Sequence, residues 1–282
     1  MHLIISTHKL GDIPVVLECI CRSTTLFKSV VITSDSIADD LERCVINCRK
    51  YFTSPLILVQ RSHKGAARRG QTRNNGIRAI RQHVAELDML YFLDGDICLD
   101  ASHFYAVRRM HEYDVIIGRV VRLAVDESNT FRNQMISGGA FSLPFGQRLL
   151  FAKKVMKAKI SCWARHLNIP LVGNVLPTHW PDLRSGNFAV RAGVFYKVNG
   201  FDESMLGWGG EDSDLGRRLY QSGARVGTFP WGCKAYHLWH PSAAEPSSSC
   251  RLHERLLYKT KVALHGLDSP FGQNDSELHI LQ

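Results

Sequence analysis

The chain has 282 residues, 45% of them apolar, which is ample for one large domain or two closely packed halves. Its 35 Lys and Arg against 26 Asp and Glu leave a net charge of +9 and favour anionic partners: nucleotides, nucleic acid or an acidic membrane face. No run approaches the roughly 20 consecutive apolar residues that span a bilayer, and MHLIISTHKL turns polar too early for a signal peptide, so a cytoplasmic location is expected.

Residues 2–7 (HLIIST) and 29–35 (SVVITSD) are short β-branched runs separated by helix-like spacing around 13–22. A helix near 38–50, a strand at 55–60 (PLILVQ), a helix over 72–86 and the apolar run 88–93 (DMLYFL) follow. The β-α-β-α-β-α-β alternation predicts an α/β fold with a mostly parallel, helix-covered sheet. Ligands of such sheets bind beyond the carboxyl ends of the strands, where Asp35 and Asp94 fall. Eight scattered cysteines predict reduced thiols. Cys19-x-Cys21 with Cys44-x-x-x-Cys48 lacks the usual zinc spacing and lies in apolar, helix-like segments.

After Asp114 the elements shorten. A strand is predicted at 115–124, a polar loop near 126–132 and Gly/Ser/Pro-rich turns at 137–147. Residues 145–167 place Leu149, Val155, Met156, Ile160 and Trp163 among Lys153, Lys154, Lys157, Lys159 and Arg165, the pattern of a helix with one apolar and one cationic face. Residues 185–219 run from Asn187 through a strand and a Gly200-Phe201-Asp202-Glu203 turn into GWGGEDSDLGRRL. The tail is Pro/Ser-rich, then basic and amphipathic over 252–264, with a polar, frayed end.

In FLDGDICLD, Gly95 permits a tight bend that lets Asp94 and Asp96 point the same way, a pairing that suits Mg²⁺ or Mn²⁺ with phosphate oxygens. Asp-Gly is also a common turn, and the position after a buried strand favours the functional reading. The loop 62–77 carries Lys64, Arg68, Arg69 and Arg73 among glycines. It lacks the interleaved aromatics of a nucleic-acid surface and fits a diphosphate or its base better. His237 and His240 in CKAYHLWHP each offer a ligand that could complete a metal site.

The ordered set IISTHK, ITSDS, RNNGI, FLDGD, SGNFAVR, NGFDE, GWGGEDSDLGRRL and YHLWH resembles the GT-A nucleotide-sugar glycosyltransferases. Its second half is similar to the catalytic segment of galactosyltransferases and N-acetylgalactosaminyltransferases. The likeness covers residues 2 to about 241 and leaves 125–180 and the tail unexplained. It implies a nucleotide-sugar-binding half over 1–114, an acceptor-binding and catalytic half over 115–245, and a helical or polar tail over 246–282. By the same resemblance, Thr7 and Asp35 hold uracil and ribose, Arg73 and Asn74 lie beside the base, and Asp94 and Asp96 form the D-x-D motif. Asn187, Trp208, Gly209 and Gly210 would meet donor and acceptor sugars, Glu211 would hold a sugar hydroxyl, and Asp212 would be the catalytic base. Ser185-Gly186 departs from the two glycines more often found there.

What the resemblance implies is a metal-dependent transferase that moves a hexose or N-acetylhexosamine from a UDP-sugar to a glycan or lipid-linked glycan, in surface polysaccharide or glycolipid synthesis. Related retaining enzymes have Asn directly after the Glu, whereas this chain has Asp212, so inversion is expected. One in-line displacement needs a base opposite the leaving diphosphate. A non-catalytic sugar-nucleotide or glycan-binding module would be expected to lose a carboxylate, and a nucleotidyltransferase has no use for Trp-Gly-Gly-Glu-Asp. At the helix start that follows, Ser213 and Asp214 are expected to cap, Leu215 and Leu219 to anchor, and Gly223 to terminate. For the basic stretches 145–167 and 252–264, packing into the domain competes with contact to an anionic membrane face.

Overall fold

Alternate residues of the first strand-like run face opposite ways in the computed structural model, Leu3 and Ile5 into one core and Ile4 into another. The structure describes residues 1–21, 27–62, 65–100, 102–139, 141–166, 183, 186–207, 209–230, 232–241, 260–271 and 278–281. Strands β1 (His2–Thr7), β2 (Ser29–Ser34), β3 (Leu56–Arg61) and β4 (Met89–Asp94) pair in parallel in the spatial order β3-β2-β1-β4. Helices α1 (Ile13–Cys21), α2 (Asp39–Cys48) and α3 (Arg69–Ile80) connect them. All four runs are rich in aliphatic or aromatic residues and largely buried on both faces, as a helix-covered parallel sheet requires.

Three differences from the sequence pattern have physical causes. Helix α3 begins at Arg69 rather than 72 because the Arg68 amide is held by the Asp35 carboxylate at 3.1 Å, fixing the chain one turn early. The strand predicted over 115–124 is two strands, β6 (Val115–Ile117) and β7 (Val120–Arg122), in different sheets. Gly118 makes the break, with its amide on the Asn187 carbonyl at 2.8 Å and a backbone so close that a Cβ would overlap Asn187. The loop predicted near 126–132 is instead helix α5 (Val125–Ile136), with the amide of the preceding Ala124 donated to Glu127 at 2.9 Å and a buried face of only Ser128, Phe131 and Met135. That stripe is too sparse to register as amphipathic.

Strand β5 (Ile97–Leu99) leads into helix α4 (Ser102–Arg109). Beyond α5 lie helix α6 (Phe145–His166), strand β8 (Asn187–Arg191), helix α7 (Ala192–Lys197), helix α8 (Glu211–Gln221), and strands β9 (Val226–Thr228) and β10 (Ala235–His237). Strands β8, β6 and β9 extend the main sheet past β4, while β5, β10 and β7 form a second, three-stranded sheet. The end expected to fray supplies β11 (Leu278–Leu281), which pairs antiparallel with β3 and covers that edge. The main sheet therefore draws on residues either side of 114. Most of the predicted amphipathic piece 252–264 lies outside the described residues. Seven of the cysteines are free thiols and Cys250 lies outside the described residues. Among the described residues no helix is long and apolar enough to cross a membrane.

Candidate active site

The parallel strands deliver Thr7, Asp35 and Asp94 to one edge of the sheet. Thr7 closes β1 and donates its hydroxyl to the Lys9 carbonyl at 2.6 Å. Asp35 follows β2, and its carboxylate accepts Arg61 Nε at 2.9 Å, the Arg68 amide at 3.1 Å and the Thr72 hydroxyl at 3.2 Å. The register that pairs Ser34 with Gln60 puts Asp35 and Arg61 side by side, so aligning the two strands would have exposed this partner.

Asp94 and Asp96 part company. Asp94 accepts Ser6 Oγ at 3.0 Å and Arg73 Nη2 at 2.9 Å. Burial works to raise its pKa, but the charges of Arg73 and Arg69 and the two hydrogen bonds prevail and hold it below the ordinary carboxylate value. Gly186, at φ +53°, sits so close that a Cβ would overlap this carboxylate, which makes it the indispensable member of Ser185-Gly186. Ser185 itself lies outside the described residues.

Asp96 turns toward two histidines. Strand β10 pairs antiparallel with β5 and aligns His237 with Ile97, placing its Nε2 3.8 Å from Asp96 Oδ2, while His240 Nε2 is at 3.0 Å. The other oxygen, Oδ1, is buried without a hydrogen-bond partner. Burial first, then the charge of Asp94, raises the Asp96 pKa against the pull of both imidazoles. The ligand atoms of Asp96, His237 and His240 lie within 4.8 Å of one another. Two imidazoles and a carboxylate with an orphan oxygen fit a divalent cation such as Mn²⁺. Both histidines left open by the sequence therefore face this corner. Asp94, expected at the ribose or donor sugar as well as at the metal, is not in the trio and is held by Arg73 and Ser6.

The start of α8 has no side-chain cap. Gly210 is the N-cap residue at φ +91°, and Gly207 and Gly209 are also left-handed at +88° and +97°, conformations that only glycine adopts without cost. Trp208 lies outside the described residues. Glu211 and Asp212 each accept Arg73 Nη1 at 3.2 Å, so one guanidinium, 2% exposed, joins them to Asp94. Desolvation, reinforced by Glu211 and Asp94 and opposed by Arg73, pushes the Asp212 pKa up to about 8. Asp214 does not cap. It binds Arg217 at 2.7 Å and Arg218 at 2.8 Å, and Arg218 donates on to the Val198 and Gly200 carbonyls. Leu215 and Leu219 are buried and Gly223, at φ +85°, ends the helix.

Three residues expected at the ligands are buried and engaged with the protein itself. Arg73 is enclosed by carboxylates and the Phe201 ring rather than set beside a base. Asn74 has no exposed surface. Its amide donates to Phe201 O at 2.9 Å and Glu203 at 2.8 Å, and its oxygen takes the Phe201 amide at 3.0 Å, holding the Gly200–Glu203 turn to α3. Asn187, equally buried, accepts the Tyr91 hydroxyl at 2.5 Å. Ser6, within IISTHK, and Arg61, just past PLILVQ, were not singled out, although each neighbours a chosen carboxylate in the sheet.

Residues 165–241, which contain Glu211, Asp212, His237 and His240, match the family model described as the N-terminal domain of galactosyltransferase. Validoxylamine A glucosyltransferase of Streptomyces hygroscopicus subsp. jinggangensis is 45% identical over 53 residues, 18% of this chain and 13% of that protein. Chondroitin synthase of Escherichia coli is 23% identical over 256 residues, 84% of this chain and 34% of the relative. The chain thus matches at most about a third of the length of these relatives. Among solved structures, GalNAc-T7 with UDP, GalNAc and Mn²⁺ superposes with a TM-score of 0.54 at 14% identity, covering 88% of this chain and 45% of that one. This is the GT-A fold. The carboxylates and histidines above gather at the carboxyl edge of β3-β2-β1-β4 and at β10.

Proposed function

We propose that the chain is an inverting, metal-dependent glycosyltransferase that moves a hexose or N-acetylhexosamine from a UDP-sugar to a glycan hydroxyl. The observation that carries this reading is the placement of Asp212, a mostly buried carboxylate joined by the Arg73 guanidinium to Asp94 and so to the Asp96 corner, where burial pushes its pKa up to about 8. A divalent cation held by Asp96, His237 and His240 would neutralise charge on the departing diphosphate. Asp212 takes the acceptor hydroxyl proton as that oxygen bonds to the anomeric carbon and the bond to the diphosphate breaks. Glu211 orients a sugar hydroxyl, and Gly209 and Gly210 let the segment before α8 close over the ligands. The named activities of the glucosyltransferase and chondroitin synthase relatives support sugar transfer, and the latter supports a polysaccharide acceptor.

The test is UDP release with Mn²⁺ across UDP-Glc, UDP-Gal, UDP-GlcNAc and UDP-GalNAc, with the product anomer read by NMR. One donor is expected to turn over with inversion, and Asp212→Asn to lower kcat by about 10²–10⁴ while leaving UDP and Mn²⁺ binding in place. Absence of turnover with every donor, or an Asp212→Asn protein as active as the parent, would refute the assignment.

A further inference from the structure

Helix α6 carries two apolar stripes. Phe151, Val155, Ala158 and Cys162 are buried and seat the helix on the domain against β7 and β9. A second set, Phe145, Leu149, Met156, Ile160 and Trp163, is 46 to 81% exposed. At 100° per residue these five fall within about 60° of arc and run for about 27 Å along the helix. Of the stripe predicted from the sequence, only Val155 turned inward. Exposed Lys153 and Lys157 flank the outer stripe on one side and exposed Lys159 on the other, and no acid occurs anywhere in Phe145–His166. A depression of 330 Å³ lined by Ala152, Val155, Met156 and Lys159 opens beside it.

We infer that this outer face of α6 docks on an anionic bilayer surface, with the aromatic and aliphatic side chains in the interface and the lysines at the lipid headgroups. Monomeric proteins rarely leave an apolar strip of this length in water. Its fringe bears one sign of charge, so a second copy docking through the same face would set lysines against lysines, whereas anionic lipid supplies both acyl chains and negative headgroups. The inference is independent of sugar transfer, since none of these residues belongs to the carboxylate and histidine site.

The experiment is co-sedimentation of the intact chain with vesicles of equal phosphatidylcholine and phosphatidylglycerol, against vesicles of phosphatidylcholine alone. Binding is expected to the anionic vesicles and to weaken with salt. Charge reversal of Lys153, Lys157 and Lys159 to Glu should weaken it by at least about 100-fold. Met156→Ser, Ile160→Ser and Trp163→Ser together should weaken it at least about tenfold, with thermal unfolding and donor turnover unchanged because these side chains already face water. The inference is overturned if wild type fails to sediment or sediments equally with both vesicles, or if both variants sediment like wild type. A dimer in light scattering that the serine variant dissolves would equally assign the face to a second copy and overturn it.

Discussion

Asp94 and Asp96 are separated by one glycine, yet the protein treats them in opposite ways. Asp94 is held by arginine and serine and kept readily ionised, whereas Asp96 has an orphan oxygen, two histidines and a raised pKa. The same contrast extends outward. Asp35, Asp214 and Glu203 each have an arginine within hydrogen-bonding range, like Asp94. A buried carboxylate with a guanidinium partner is electrostatically complete and serves to lock segments together. One that faces imidazoles and keeps a free lone pair is arranged for a cation from outside.

Removing an arginine-held carboxylate is therefore expected to damage the fold more than the chemistry. Asp214→Ala strands Arg217 and Arg218 without their anion, and Arg218 is what ties α8 to the Val198 and Gly200 carbonyls. A loss of about 3–5 kcal/mol in urea unfolding is expected, as for other broken buried pairs. A variant as stable as the parent would erase the distinction between the two kinds of carboxylate.

The cation corner should show the reverse pattern. His240→Ala should weaken Mn²⁺ binding, measured by calorimetry, and lower donor turnover by about 10–100-fold, while the unfolding midpoint without metal stays within experimental error. A fall in metal-free stability with unchanged Mn²⁺ affinity would place His240 among the structural partners instead.

The sequence made the scaffold legible where the hydrophobic pattern was long and simple. The four parallel strands and α1 are recovered nearly to the residue because β-branched runs buried on both faces leave a strong signal. Helix α5 was missed because its buried face is three residues, and β11 because pairing to β3, not composition, makes it a strand. Within the site, the acids and histidines could be chosen from residue type and motif. Which partner each one faces could not, because Arg73 lies more than a hundred residues from Glu211 and Asp212 and meets them only through the packing of α3 against the turn before α8. The partners of Asn74 and Asn187 were illegible for the same reason, since an amide in a motif looks alike whether it faces a ligand or a carbonyl.

The smallest effect bears on the cluster in which the two kinds of carboxylate meet, because Asp212 is touched by Arg73 and is nevertheless pushed up to about 8. Desolvation is the first cause, Glu211 and Asp94 add to it, and Arg73 opposes. A base acts when ionised, so kcat/KM for the free enzyme should rise with pH and reach half its plateau near 8, the activity being lost as pH falls through that value. The linked stability has the opposite sense. A carboxylate whose folded pKa lies above its unfolded value binds its proton more tightly in the folded state, so its contribution declines as pH rises from about 4 toward 8. Glu211→Gln removes one negative neighbour and keeps the shape of the side chain. The alkaline-rising limb should then move to lower pH, by on the order of one unit, even though loss of the proposed sugar contact lowers the plateau. A limb that stays in place would show that Glu211 does not set the ionisation of Asp212. A limb that moves upward would show that Glu211 holds Arg73 in place against Asp212, so that its loss releases the guanidinium.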